Sequence, residues 1–261
     1  MTDQTDQQDP QGIPAATVVV FRQSSGDAAP ELLMVTRSRS MSFAGGMAVF
    51  PGGRVDPADY DLARKAASAM PEDEAAHRIA AIRETLEETG LAIGISGTVT
   101  AETARDARAM LLETNALEPV LEAFNWSLDF AQVLPFSRWF PKNEKLSRVF
   151  DTRFYLANLG TGAVDIAVDE TENTKLYWIS AQGALDAAEK GELSIIYPTR
   201  RNLERLAQFS SFDETAEHSA NIPVKTITPF LEERDGVRWL CIPDDAGYPV
   251  AAERLDQAQR G

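Results

Sequence analysis

Cysteine, histidine and positive charge are scarce in this chain. One cysteine, Cys241, among 261 residues excludes an internal disulfide framework and fits a reducing compartment. Two histidines, His77 and His218, leave almost no room for a multi-histidine zinc site. Neither lies near a nucleophile-elbow pattern of the kind that serine hydrolysis uses. Lysine and arginine number 25 against 40 acids, a net charge of −15. That balance argues against non-specific nucleic-acid binding and against attraction to anionic membranes. A small anionic substrate stays compatible, because a bound cation and a few arginines invert the field locally. No long apolar run is present and the N-terminus is polar and acidic, so no signal peptide or membrane span is expected and the cytoplasm is the expected location. What the chain does have is 44% apolar residues, enough for a real core.

Residues 1–12 read as a disordered tail. Ala15–Arg22, with Val18-Val19-Val20-Phe21, reads as a buried strand, and Glu31–Arg37 as its hairpin partner. Met41–Gly53 reads as a short strand around Val49-Phe50 that ends in a glycine-rich loop. Helices are expected over Ala58–Ala69 and from Pro71 to a C-cap at Gly90, with Glu72, Asp73 and Glu74 at the favourable N-terminal end of the second. Further strands are expected at Leu91–Thr100, Val133–Phe140, Arg153–Ala157 and Thr174–Ile179. Further helices are expected at Thr103–Asn115, Glu118–Asn125, Ala181–Lys190 and Pro198–Phe209. Ser210–Ala220 reads as a polar linker, Val224–Leu231 and Val237–Ile242 as a hairpin, and 251–261 as a C-terminal tail. The order is α+β, with no regular βαβ alternation.

The second helix carries acids where a helix disfavours them. Glu84, Glu87 and Glu88 share one face, opposite Ile79, Ile82 and Leu86. Glu84 and Glu88 are a like-charged pair one turn apart, which costs roughly 0.2–0.5 kcal/mol. Glu87 and Glu88 also sit at the negative end of the helix dipole, a further cost of roughly 0.3–1 kcal/mol each. Adjacent glutamates are usually just a solvated face. Here the neighbouring Arg83, the unfavourable helix end and the preceding Phe50-Pro51-Gly52-Gly53 argue for a cation site, since a divalent ion reverses the sign of all three penalties.

Arg83-Glu84-Thr85-Leu86-Glu87-Glu88-Thr89-Gly90-Leu91 resembles the second half of the Nudix box, Arg-Glu-U-x-Glu-Glu-x-Gly-U, with U an apolar residue and Thr85 standing at the first U. Phe50-Pro51-Gly52-Gly53 is similar to the lead-in. Asp59 stands where the box has Glu, and the distance from Gly53 to Arg83 is about sixteen residues longer than usual. An interrupted box of this kind resembles the branch containing the peroxisomal coenzyme A diphosphatases. Thr36-Arg37-Ser38, Gly46 and Phe50-Pro51-Gly52-Gly53 resemble the upstream coenzyme A signature, although Ser42 replaces its second arginine. Arg138-Trp139-Phe140-Pro141, Arg148–Tyr155 and Asp169–Glu172 are similar to later segments of the same branch, which extends the resemblance from about residue 14 to 250.

The resemblance implies an α/β/α sandwich with a mixed β-sheet, one domain over 13–250, and helical insertions near 57–74 and 103–125. It implies hydrolysis of the diphosphate linkage of a nucleoside diphosphate derivative, with Mg²⁺ or Mn²⁺ held by Glu84, Glu87, Glu88 and the Gly53 carbonyl. Hard ions of this type take oxygen ligands. Arg83 is expected to clamp a ligand glutamate, and Glu84, ahead of Glu87, to be the catalytic base. Glu170 and Glu172 are the alternative base candidates from a later loop. Phosphate contacts suit the planar fork of arginine, and Arg37, Arg54 and Arg153 are the candidates. Trp139, Phe140 and Tyr155 either stack a base or sit in the core, and His77 is expected to be exposed and incidental. Coenzyme A or acyl-coenzyme A leads as substrate, with NAD(H), ADP-ribose or another dinucleotide second. A non-catalytic nucleotide-binding module is third, disfavoured because the box glutamates are kept. A homodimer is compatible with the sequence.

Overall fold

The run Val18-Val19-Val20-Phe21 lies in the middle of β1 (Ile13–Arg22), with all four residues buried. Buried side chains on both faces of a strand place it inside a sheet. A computed structural model describes residues 12–23, 29–39, 44–66, 69–142, 148–159 and 173–258. β2 (Glu31–Arg37) pairs with β1 antiparallel, Phe21 opposite Leu32. The stretch read as a strand followed by a glycine loop is instead two short strands, β3 (Ala48–Val49) and β4 (Gly52–Arg54), so the glycines belong to a strand. α1 (Pro57–Ala66) and α2 (Glu72–Thr89) follow, and α2 stops at Gly90, whose φ of 77° is left-handed.

Leu91–Thr100 is not the strand its composition suggested. Gly94 and Gly97 take positive φ and leave only β5 (Ile95–Ser96) extended. α3 (Ala101–Thr114), opened by a Thr100–Thr103 capping box, and α4 (Leu117–Phe124) form the helical insertion. β6 (Ser127–Leu128), which pairs with β5, β7 (Leu134–Trp139), β8 (Phe150–Asn158) and β9 (Asn173–Ser180) come next. α5 (Ala181–Glu189) and α6 (Tyr197–Leu206) fall where helices were expected. The expected polar linker is a helix, α7 (Phe212–Ala220). Its Ser211 cap accepts from the Glu214 N–H, it buries Thr215 and Ser219, and Phe212 packs edge-on against Phe21 with ring centroids 5.3 Å apart, so capping and one aromatic contact replace the missing apolar stripe. β10 (Thr226–Ile227) runs beside β7, and the hairpin proper is β11 (Phe230–Arg234) with β12 (Val237–Cys241). The expected tail contains β13 (Ala252–Arg254), paired with β12, and α8 (Leu255–Ala258).

The main sheet runs β10-β7-β8-β1-β2-β3, with β4 on β1 and β9 on β2. Alternate residues of β1 serve opposite layers. Val18 and Val20 pack with Ile79, Ile82 and Leu86 of α2. Val19 and Phe21 pack with Leu185 of α5 and Leu203 of α6. This is the α/β/α sandwich. One edge of β1 is shared, by β2 near Phe21 and by β4 near Ala16, and the gap where the edge changes partner is where the site forms. Among the described residues no helix is long and apolar enough to cross a membrane.

Candidate active site

β4 wedges against β1 at Gly52. A Cβ there would fall 2.3 Å from the Ala16 carbonyl oxygen, at a φ of +154°, so only glycine fits. The Gly52 N–H, brought this close to α2, donates to Glu88 Oε2 at 3.0 Å. Gly53 lies over Glu84, where a Cβ would come within 2.3 Å of the carboxyl carbon. The strand and the last two turns of α2 therefore share one space, and the two glycines make room for carboxylates.

Arg83 organises these acids. Its Nε and Nη2 donate to the two oxygens of Asp59 at 3.0 Å each. Nη2 also donates to the Arg54 carbonyl at 2.9 Å. Nη1 donates to Glu84 Oε1 at 2.9 Å and to Glu87 Oε2 at 3.4 Å. Asp56 Oδ2 lies 3.4 Å away. Asp59 and Arg83 are 1% and 3% exposed. Burial opposes the Arg83 charge, but the hydrogen bonds to Asp59 and the surrounding carboxylates outweigh it and drive its pKa upward. Burial raises the Asp59 pKa, against the pull of Arg83. The long interruption thus does not separate Asp59 from Arg83, because α1 returns the one to the other.

Glu84 is penalised by its surroundings. Burial comes first, Arg83 works against it, and the charges of Glu88 and Glu87 add to it, so its pKa is pushed up to about 8. Among the described residues no three acid, histidine or cysteine side chains converge on one point as a ready ligand set; Arg83 Nη1 instead stands between Glu84 and Glu87. The donors are nonetheless all oxygen, mutually repelling, and set in a cradle that a Gly53 Cβ would fill. That chemistry fits a hard divalent cation. The orphan carbonyl of Glu87, at the C-terminal end of α2, accepts from Arg108 Nε of α3 at 2.8 Å, so the insertion braces the acidic helix end with a cation. Arg108→Ala is expected to lower the Tm by about 2–4 °C, measured by thermal unfolding. An unchanged Tm would show the brace to be idle.

These groups open into a cavity of about 460 Å³. Arg37 and Arg54 line it. Arg153 does not. Thr152 and Phe154 of β8 face the cavity, so the alternation of the strand turns Arg153 to the other face. There it pairs with Asp73 and, at 2.8 Å, with Glu74 of α2. His77 is buried rather than exposed, its Nδ1 2.6 Å from the Asp73 carbonyl. Trp139 lines the cavity from within the core, with Nε1 donating to the Tyr248 hydroxyl at 2.9 Å. Tyr155 is buried on the α2 side. Glu170 and Glu172 lie outside the described residues. Sequence reasoning did not find Asp56, Asn115, Arg148 or the α6 start at Ile196, Pro198 and Thr199, all of which line the cavity. The left-handed cap at Asn115 and the proline helix start were visible as local signals, but neither indicated a site.

A family model described as NUDIX domain matches residues 13–144, half of the chain, including the β4–α2 unit. A Caenorhabditis elegans protein that carries the name nudix hydrolase 7 is 27% identical, over 83% of this chain and 69% of its own. The Gallus gallus acyl-coenzyme A diphosphatase NUDT19 is 25% identical, over 90% of this chain and 79% of its own. A solved Nudix hydrolase from Alicyclobacillus acidocaldarius is similar with a TM-score of 0.66 at 26% identity, over 79% of this chain and 96% of that one. Nudix hydrolases work with divalent cations, in keeping with the all-oxygen donor set. The chain belongs to the Nudix family, as a hydrolase of nucleoside diphosphate derivatives.

Proposed function

We propose that this enzyme cleaves the diphosphate of coenzyme A or acyl-coenzyme A with Mg²⁺ or Mn²⁺, in one catalytic domain. The observation that carries the reading is that the acidic end of α2 shares its cavity with Arg37 and Arg54 and with apolar walls from Trp139 and Phe154. Glu84, Glu87, Glu88 and the Gly53 carbonyl would hold the cation. When bound, it supplies neutralisation of diphosphate charge and acidification of water. Arg83 fixes the orientation of Glu84, which is the proton acceptor at Oε ahead of Glu87. Arg37 and Arg54 hold phosphate oxygens, and the apolar walls exclude bulk water around the linkage.

The coenzyme A preference is supported by the upstream residues Thr36-Arg37-Ser38 and Gly46 and by the name of the Gallus gallus relative. NAD(H), ADP-ribose or another dinucleotide is the second reading. A substrate panel with Mg²⁺ or Mn²⁺ separates them. Release of adenosine 3′,5′-bisphosphate from coenzyme A is expected, and its absence beside turnover of a dinucleotide would replace the first reading with the second.

A further inference from the structure

α2 and α6 belong to opposite helical layers, yet the C-terminal end of one and the N-terminal end of the other meet the same cavity. The α6 end is built unlike an ordinary helix start. Its N-cap is Ile196, with no side chain capping the first turn. The N–H groups of Tyr197 and Thr199 have no partner within the helix, and Pro198 has no N–H to offer. Thr199 is 3% exposed and lines the cavity, and its hydroxyl makes no hydrogen bond to any described residue. With the rest of the residue covered, the hydroxyl has the cavity as the place into which it can donate.

The position of this end is fixed from the sheet. The Ala48 N–H donates to the Ser194 carbonyl at 2.7 Å, and Ala48 bridges Ile195. β3 is thereby held between the approach to α6 and the end of β2, where Arg37 also lines the cavity. Unpaired N–H groups, a positive helix end and a hydroxyl available to the cavity together form a receptor for an anionic oxygen cluster.

We infer that the N-terminal end of α6, with Thr199 as its side-chain donor, is a second anion subsite that takes a phosphate monoester on the ribose of the substrate, apart from the diphosphate that is cut. This rests on the reading of the cavity as a nucleoside diphosphate site, and it names the feature by which the enzyme separates coenzyme A from NAD(H) and ADP-ribose, which lack that phosphate. No covalent step is involved. Thr199 binds and orients.

The test uses the full chain and two product-like probes, adenosine 3′,5′-bisphosphate and AMP, with binding measured by titration calorimetry on wild type, Thr199→Val and Thr199→Ser. Valine keeps the shape and removes the hydroxyl. The wild type is expected to bind the bisphosphate more tightly than AMP. Loss of one hydrogen bond to a charged group should weaken the bisphosphate by about tenfold in Thr199→Val and leave AMP unchanged, with Thr199→Ser restoring most of the difference. If Thr199→Val binds both probes like wild type, or loses both equally, the subsite is wrong. Turnover of coenzyme A and of its 3′-dephospho form is measured alongside. If neither is cut while the calorimetric difference stands, the proposed reaction fails and the subsite survives. If both are cut equally by wild type and Thr199→Val, the subsite fails and the reaction survives.

Discussion

Glu88→Gln is expected to lower turnover by on the order of 10²–10³-fold, the usual loss when one electrostatic group at a reacting centre is removed, while metal-free stability does not fall. Glutamine keeps an oxygen to accept from the Gly52 N–H, the contact that Glu88 Oε2 makes at 3.0 Å. That hydrogen bond is therefore kept. One negative charge disappears beside Glu84, whose pKa is already pushed up to about 8 by burial and by its acidic neighbours. In the metal-free protein this is a relief of like-charge repulsion, worth a few tenths of a kcal/mol. In the loaded protein it is the loss of a ligand charge. Turnover, Mn²⁺ binding followed by electron paramagnetic resonance, and Tm measured without metal give three readouts that move differently. Full activity with unaltered Mn²⁺ binding would remove Glu88 from the metal site, and a large fall in metal-free Tm would make its role structural.

The second large effect falls on Asp59. This residue replaces the usual box glutamate, and both its oxygens are engaged by Arg83 at 3.0 Å. Asp59→Ala leaves a buried guanidinium without its main partner, which costs about 3–5 kcal/mol in comparable buried pairs. Glu84, Glu87 and Asp56 stay near Arg83, which places the expected cost at the lower end, about 3 kcal/mol. Turnover should fall with it, because Arg83 loses the two-point anchor that fixes its Nη1 against Glu84. Asp59→Glu restores the charge with one extra methylene in a close-packed site and should recover part of both losses. Chemical denaturation with kinetics on the same samples checks this. An Asp59→Ala protein of wild-type stability would show the pair to be dispensable.

The parts of the fold that were legible in the sequence are those set by local rules. α2, its apolar face and its glycine stop follow from 3.6-residue spacing and from the left-handed freedom of Gly90. β1 and β2 follow from short apolar runs around a turn. The failures have a common cause. α7 has no apolar stripe and is held by its Ser211 cap and by packing. His77 looked exposed because it shares a helix face with acids, but that face is covered at its N-terminal end by β8, through Arg153 and its pairs with Asp73 and Glu74. Arg153 itself was misplaced because a strand sends neighbouring residues to opposite faces, and nothing local says which face is the site.

By itself the sequence determined the chemistry. Three glutamates at the wrong end of a helix, an arginine beside them and two glycines upstream specify an oxygen-rich acidic cluster of the kind a hard cation would relieve, because helix spacing and the helix dipole are properties of the local chain. The tertiary structure alone decided what surrounds that chemistry. Pairing of β4 with β1 places Gly52 and Gly53 against Glu88 and Glu84, α1 carries Asp59 back to Arg83, and the start of α6 closes the cavity more than a hundred residues along the chain from Glu88. Such contacts depend on sheet register and on layer packing, which sum over many weak interactions across the whole domain, and no short window of residues contains them.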